Sequence, residues 1–398
     1  MNKNFNLRQT YLLLFLFITC VSPLIPEAAA NKSTRSAKTS IFKPTKKIST
    51  PKHAAYKFEE LYSNYASWGI SPNEKKAGVN LAEAWKKFKK KKTIVIGVID
   101  TGIDPLHPFI KNNVHVGTGK VSPQNYGMDF SHKGNTEDSE AISNKGSSFL
   151  SETALKPMDY NGHGTHVSGI IRSVFPDAKI LTLKYYNPDV SGQKNLESTI
   201  SALEYAVNKN VDIINYSGGG PESSKKELKI LKKAQKKGII IIAAAGNEKS
   251  NIDQQENAYY PASYGLPNII TVTAHDKSAN LISSANYGKS TVDISAPGHR
   301  IKSIFPNNQI GFLSGTSQAT AFVTGAVALI KSHYPKISPS KIKNIIRKSS
   351  DMRPSLQNKC ISGGILNIAD ALDVAGGKKP KKRTLANKKE GSIIYRYK

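Results

Sequence analysis

The chain has 398 residues, 38% of them hydrophobic, enough for one large core or two modest ones, and its periodicity favours one large α/β domain. Its formal net charge of +28, from 57 Lys and Arg against 29 Asp and Glu, suits contact with nucleic acid, anionic lipid or acidic substrates. No groove-reading motif accompanies that charge, so nucleic acid is not expected as a partner and basicity reads first as a general surface property.

Residues 1–30 read as an export signal. Lys3 and Arg8 precede an apolar stretch over 11–25, Pro23 interrupts it, and Ala28-Ala29-Ala30 supplies the small residues a signal peptidase accepts. The stretch is too short for a good membrane span. The mature protein is therefore expected to be secreted or periplasmic. The alternative is a lipoprotein anchored at Cys20, although Phe17 and Thr19 match such a site poorly. If Cys20 leaves with the signal, Cys360 stands alone, no internal disulfide forms, and it reads as a buried structural thiol. Residues 31–60, rich in Lys, Ser and Thr with scattered Pro, read as a basic disordered linker.

Asn80-Leu81-Ala82-Glu83 reads as a capping box opening a helix that carries Trp85 and Phe88, with Lys89–Lys92 as positive charge at its end. Residues 94–102 are a β-branched and Gly run ending in an acid and a turn, the pattern of a buried parallel strand with Asp100 at its C-terminal end. The long stretch that follows, with Asp129, Glu137, Asp138, Glu140 and Glu152, reads as a solvated surface loop; shaping substrate access and cation binding are the other readings. In residues 161–169 glycines flank His163 at the mouth of a helix. A strand over 179–184 precedes Tyr185 and Tyr186, and a helix with Ile200, Leu203 and Val207 on one face follows. The strand over 211–216 delivers Ser217-Gly218-Gly219-Gly220. A second capping box, Ser224 with Glu227, opens a helix that buries Leu228 and Leu231 and closes at Gly238.

Residues 239–247 read as a buried strand ending in the amide of Asn247. Residues 314–321 place Ser317 between small residues in a turn that opens a buried helix, where free backbone N–H groups favour developing negative charge. Ser338 caps a further helix with Pro339 first and Ile342, Ile345 and Ile346 on one face, and 366–372 completes the domain. Taken singly, Asp100 reads equally as a strand cap, His163 as a core imidazole, Asn247 as a turn amide and Ser317 as a helix cap.

Together, with Asp, His and Ser blocks in that chain order, the sequence resembles the subtilisin-like serine proteases, the subtilases, over residues 68–372. The resemblance implies a doubly wound, mostly parallel α/β sheet with helices on both faces. With the export signal read over residues 1–30, it implies an exported serine endopeptidase that acts on protein or peptide substrates through an acyl-enzyme. Matched residue by residue, Ser317 becomes the nucleophile, His163 the general base and then acid, Asp100 the group orienting the imidazole, and Asn247 the oxyanion donor. The catalytic domain is then assigned to 61–376, with a basic disordered tail over 377–398.

Substrate-binding residues follow from the same resemblance. Ser217, Gly218 and Gly219 match an exposed edge that pairs with the substrate backbone, and Tyr185 and Tyr186 stand where relatives line the cleft. Ala244, Ala245 and Gly246 match one wall of the primary specificity pocket, with Glu248 at the rim and Tyr259 near the base. Tyr259 is expected to shorten that pocket and Glu248 to attract a basic side chain, while Gly218, where larger aliphatics are common, implies a roomier adjoining subsite. Ala321 replaces a proline expected in the first helical turn, a change expected to favour acyl transfer to an amine. The linker is too short for the usual propeptide, so folding is expected to proceed unaided or with another chain's help.

No metal ligand is assigned and no cofactor is expected. The usual strong calcium site lacks its acid, since Phe109 follows His107-Pro108, and the helix from His163 runs on to 175–178 without the calcium-binding loop. Calcium at a non-standard site is the remaining option. The basic tails suit contact with an anionic envelope surface, and the oligomeric state is not legible.

Overall fold

The structure, a computed structural model, describes residues 65–115, 126–131 and 156–380. The signal, the linker, the tail beyond 380 and Glu137, Asp138, Glu140 and Glu152 lie outside the described residues.

Six parallel strands form the centre of a nine-stranded sheet: β1 (Val95–Asp100), β3 (Lys179–Lys184), β4 (Ile213–Tyr216), β5 (Ile240–Ala244), β6 (Ile269–His275) and β7 (Ile294–Pro297). One edge is β2 (Gly127–Asp129), parallel to β3, and the other is β11 (Gly364–Ile365) followed by the antiparallel β10 (Asp351–Met352). The order is β10-β11-β7-β6-β5-β4-β1-β3-β2.

Helices cover both faces, which is why the central strands are continuous apolar runs and not alternating ones. Ile96, Val98, Ile213, Ile240 and Ile242 face one layer, containing α1 (Leu81–Lys87), α2 (His163–Val174), α5 (Thr316–His333), α6 (Pro339–Lys348) and α7 (Ile368–Ala375). Their neighbours Ile99, Ile214, Ile241 and Ala243 face the other, formed by α3 (Gly192–Asn208) and α4 (Lys225–Lys236). The period-two alternation is thus present but hidden, because both sets are apolar. Helix α5 is the central one. All its residues but His333 are buried, and it packs on α2 and β6. A hairpin of β8 (Ile301–Phe305) and β9 (Gln309–Leu313) packs on α2 and leads directly into Ser314 and α5.

Several local expectations change. Asn80 precedes α1 in a left-handed conformation and makes no side-chain cap; its amide reaches Asn367 instead, 3.4 Å away. Ser224 does cap α4 by accepting from the Glu227 N–H, but the Glu227 side chain turns into the core, so only half the capping box forms. Leu231 is buried there while Leu228 is only half-buried. Asp129 is not on a solvated loop: it ends the edge strand β2, is buried, and pairs with Lys184 at 3.3 Å. Ser338 and Pro339 open α6 as expected. Ala321 is the sixth residue of a helix beginning at Thr316, beyond the first turn. At that position an i→i−4 bond reaches the Ser317 carbonyl, and a proline would forgo it.

Candidate active site

Asp100, Ser217 and Asn247 stand at or just beyond the C-terminal ends of three neighbouring strands, β1, β4 and β5. Two helices open at the same edge, α2 with His163 and α5 with Thr316 and Ser317. Residues far apart in the chain therefore meet where an open α/β sheet ordinarily builds its site.

His163 Nδ1 lies 2.7 Å from Asp100 Oδ1, which also accepts the Thr101 N–H at 2.8 Å. A carboxylate only accepts, so Nδ1 carries the proton and Nε2 is the basic nitrogen. Burial opposes charge on this imidazole, but the Asp100 charge and hydrogen bond, helped by Asp159, outweigh it and raise the His163 pKa above the ordinary 6.5. The neighbouring His166 behaves oppositely. Burial, reinforced by His163, pushes it down to about 3, and it stays neutral with Nε2 at 2.9 Å from the Ile301 carbonyl.

Ser317 is the second residue of α5. Its hydroxyl donates to the Ser217 carbonyl at 2.8 Å, and the Ser217 hydroxyl donates back to the Ser317 carbonyl at 3.3 Å. Asn215 holds Ser217 Oγ at 2.9 Å and itself accepts from Thr324 on the third turn of α5 at 2.8 Å. The hydroxyl thus points to the neighbouring strand end in this state, and reaching His163 takes a rotation about its Cα–Cβ bond. Asn247 is fixed through its oxygen, which accepts from the Thr316 N–H at 2.9 Å and the Thr316 hydroxyl at 3.2 Å. Only the amide oxygen can accept, so the orientation is determined and Nδ2 is left to donate. Gly315, at φ 153°, makes this approach feasible: a Cβ there would lie 3.2 Å from Asn247 Oδ1.

The walls beside this group are tightly filled. The Tyr259 ring is wedged between two glycine backbones: a Cβ on Gly219 would come within 2.5 Å of its Cε1, and one on Gly246 within 3.0 Å of its Cδ2. Glu248 is exposed, but its carboxylate leans over Gly246, Oε2 accepting from Asn286 Nδ2 at 2.5 Å and lying 2.4 Å from where a Gly246 Cβ would be. Partial burial raises the Glu248 pKa against the hydrogen bond from Asn286, and burial with the nearby Glu248 charge raises that of Tyr259. Ala244 and Ala245 are buried in the wall behind. The expected roomier subsite at Gly218 is not there, because the Tyr185 hydroxyl sits 2.4 Å from where its Cβ would be. The tip of the edge is closed by Tyr260, which exchanges hydrogen bonds of 2.8 and 3.0 Å with Gly220.

Sequence reasoning passed over Asp159, which organises the histidine turn. Its carboxylate accepts from the Gly162 N–H at 2.7 Å, the Thr165 N–H at 2.8 Å and the Thr101 hydroxyl at 2.9 Å, while Thr101 Oγ1 accepts the Gly164 N–H. An acid four residues before His163, with Asn161-Gly162 immediately ahead of the histidine, was the available signal. Thr101, Asn215 and Thr316 were missed too, as each acts through a partner distant in sequence. Among the described residues no group of three or more His, Cys, Asp or Glu is gathered to hold a metal ion. At Phe109, where the usual calcium site needs an acid, the Arg172 guanidinium stacks 3.9 Å from the ring centre.

Comparison with known proteins identifies the family. Residues 91–382 match the model of the subtilase family. The chain is 36% identical over 273 residues to the major intracellular serine protease of Bacillus subtilis, covering 66% of this chain and 76% of that protein. It is 33% identical over 288 residues to subtilisin DY of Bacillus licheniformis, covering 70% and 90%. Among solved structures, the prenylagaramide maturation protease PagA superposes with a TM-score of 0.56 at 26% identity, over 75% of this chain and 99% of that one. The nisin leader peptidase NisP of Lactococcus lactis shares the fold, with a TM-score of 0.59 at 22% identity over 75% and 91%. The chain belongs to the subtilase family and is a serine endopeptidase, a peptide hydrolase.

Proposed function

We propose that the chain is an exported endopeptidase working through Asp100, His163, Ser317 and Asn247. The Ser317 hydroxyl turns from Ser217 toward His163 and attacks the scissile carbonyl as Nε2 takes its proton. Asp100 stabilises the imidazolium, which then gives the proton to the leaving amine. Asn247 Nδ2 and the N–H of Ser317 at the start of α5 donate to the tetrahedral oxygen, and water repeats the sequence on the acyl-enzyme. The observation that carries this reading is the meeting of the Asp100–His163 pair with the Asn247-braced N-terminus of α5 at one sheet edge. Side chains, the Ser317 N–H and water carry these steps, and calcium at a non-standard site is outside them.

The segment Ser217–Gly219 is read as the edge that pairs with substrate backbone, and the slot between Gly219 and Gly246 as the seat of the side chain preceding the scissile bond. With Tyr259 filling that slot, the preferred residue is a small one. Such narrow selection favours a dedicated processing protease as the second reading, in keeping with the maturation protease PagA among its structural relatives. Export rests on residues 1–30. The partner proposed besides substrate is an anionic envelope surface, reached by the basic tails and by α4, where Lys225, Lys226, Lys229, Lys232, Lys233 and Lys236 are all exposed.

Fluorophosphonate labelling of the purified chain tests the chemistry. Labelling lost in Ser317→Ala and unchanged by a chelator is expected. An unlabelled, well-folded protein would overturn the assignment. Amino-terminal sequencing of the protein recovered outside the cytoplasm tests export; recovery only from the cytoplasm would refute it.

A further inference from the structure

Glu227 is the acid of α4, a helix whose outer face is lysine, yet its side chain points inward and the residue is only 1% exposed. Among the described residues no Lys or Arg pairs with it. Its partners are two phenols: Oε1 accepts from Tyr216 Oη and Oε2 from Tyr264 Oη, both at 2.9 Å. Burying a carboxylate without a cation is costly, and an apolar residue of similar size would fill the space at less cost. What a hydrocarbon could not do is hold two hydroxyls at once.

Those two tyrosines belong to the two arms beside the nucleophile. Tyr216 ends β4 and immediately precedes Ser217, the residue that exchanges hydrogen bonds with Ser317. Tyr264 ends the short turn Ala262–Tyr264, which is tied back to Tyr259 by the Ser263 hydroxyl at 3.0 Å and the Ser263 N–H at 2.8 Å. Tyr264 also accepts the Ser224 N–H at 2.8 Å, and its ring packs 4.6 Å from that of Tyr260. Tyr260 in turn pairs with Gly220. Strand end, return segment and helix start therefore converge on one carboxylate.

We propose that Glu227 is a positioning residue that locks the Ser217–Gly220 edge against the Tyr259–Tyr264 segment, so that the edge is already in place when an extended peptide pairs with it. The inference rests on the reading of Ser217–Gly219 as the substrate edge. It predicts that Glu227 matters for long substrates and hardly at all for small ones, since His163 is held by Asp100, Asn247 by Thr316, and Ser217 is tied to α5 through Asn215 and Thr324 without Glu227.

The test compares the full chain with its Glu227→Gln and Tyr264→Phe variants, using an eight-residue peptide, a single-residue ester and the fluorophosphonate probe. In Glu227→Gln, kcat/KM on the peptide should fall about tenfold, the scale of one lost hydrogen bond, and should do so mainly through KM. Ester hydrolysis and labelling should stay within about twofold, with Tyr264→Phe showing the same pattern more weakly. Equal losses on peptide and ester would overturn the proposal, as would an unchanged peptide kcat/KM with only a lowered melting temperature. Should Glu227→Gln fail to fold, the Tyr264→Phe split between peptide and ester decides the matter alone. Absence of labelling in the unmodified chain would instead refute the serine chemistry, so the two failures are distinguishable.

Discussion

On the proposed reading of the slot beside Tyr259, replacing Tyr259 by alanine should widen the preference from small residues to large ones. The ring now fills the space between Gly219 and Gly246, touching both backbones. Removing it opens a slot whose walls are glycine and alanine backbone and whose side is the Glu248 carboxylate. A leucine entering that slot buries three carbons more than an alanine does. At about 0.8 kcal/mol per carbon this adds roughly 2.4 kcal/mol, or about 50-fold in kcat/KM. The change has a cost of its own, since truncating a buried aromatic destabilises a fold by about 3–5 kcal/mol. The melting temperature and the fluorophosphonate labelling rate must therefore be measured beside the kinetics. The assay is kcat/KM over peptides differing only in the residue before the scissile bond, with Ala, Leu, Phe and Lys compared. Lysine should gain in Tyr259→Ala and lose that gain when Glu248→Gln is added, because the neutral amide offers no charge to the ammonium. If the unmodified enzyme already cleaves after leucine or phenylalanine as fast as after alanine, the ring does not occupy the side-chain slot and the reasoning fails.

Three further outcomes are expected. In the proposed mechanism His163 must be neutral, and its pKa is raised, so kcat/KM should decline as pH falls through a value above 6.5. Asp100→Asn should move that limb to lower pH while lowering kcat by about 10⁴, and an unmoved limb would show that another group titrates. Asn247→Ala should cost about 10²–10³ in kcat with KM little changed, the general cost of one lost oxyanion donor; a loss confined to KM would assign it to substrate binding. Binding to anionic vesicles should weaken steeply between low and high salt and weaken again when Lys225, Lys229, Lys232 and Lys236 are changed to Gln. Salt-insensitive binding, or binding indifferent to those four changes, would remove α4 from the contact surface.

What was legible in the sequence was what local pattern encodes. The runs over 94–102 and 239–247 announced buried strands because both faces of the sheet are apolar, and glycines beside His163 and Ser317 marked the places where helices open at the sheet edge. Illegible were features set by a partner distant in the chain. Asn80 looks like a cap, but its amide is engaged 287 positions away by Asn367. Glu227 completes a capping-box motif, yet two tyrosines from other segments draw its side chain inward. Asp129 reads as one more acid in a polar stretch, and only the parallel pairing of β2 with β3 brings it to Lys184.

The cleft shows why reading such positions one at a time misleads. A glycine at 218 suggests empty space only if its neighbour is small, and here Tyr185 Oη takes up that space. A tyrosine at 259 suggests a shortened pocket, and its ring is accommodated because residues 219 and 246 are both glycine. Each bulky residue is matched to an absent side chain opposite, so the ring or hydroxyl of one occupies the space the glycine of the other leaves. The consequence is directional. Gly218→Leu alone must drive its side chain into the Tyr185 hydroxyl and should disturb the edge beside Ser317, whereas the same change made with Tyr185→Ala has room to pack.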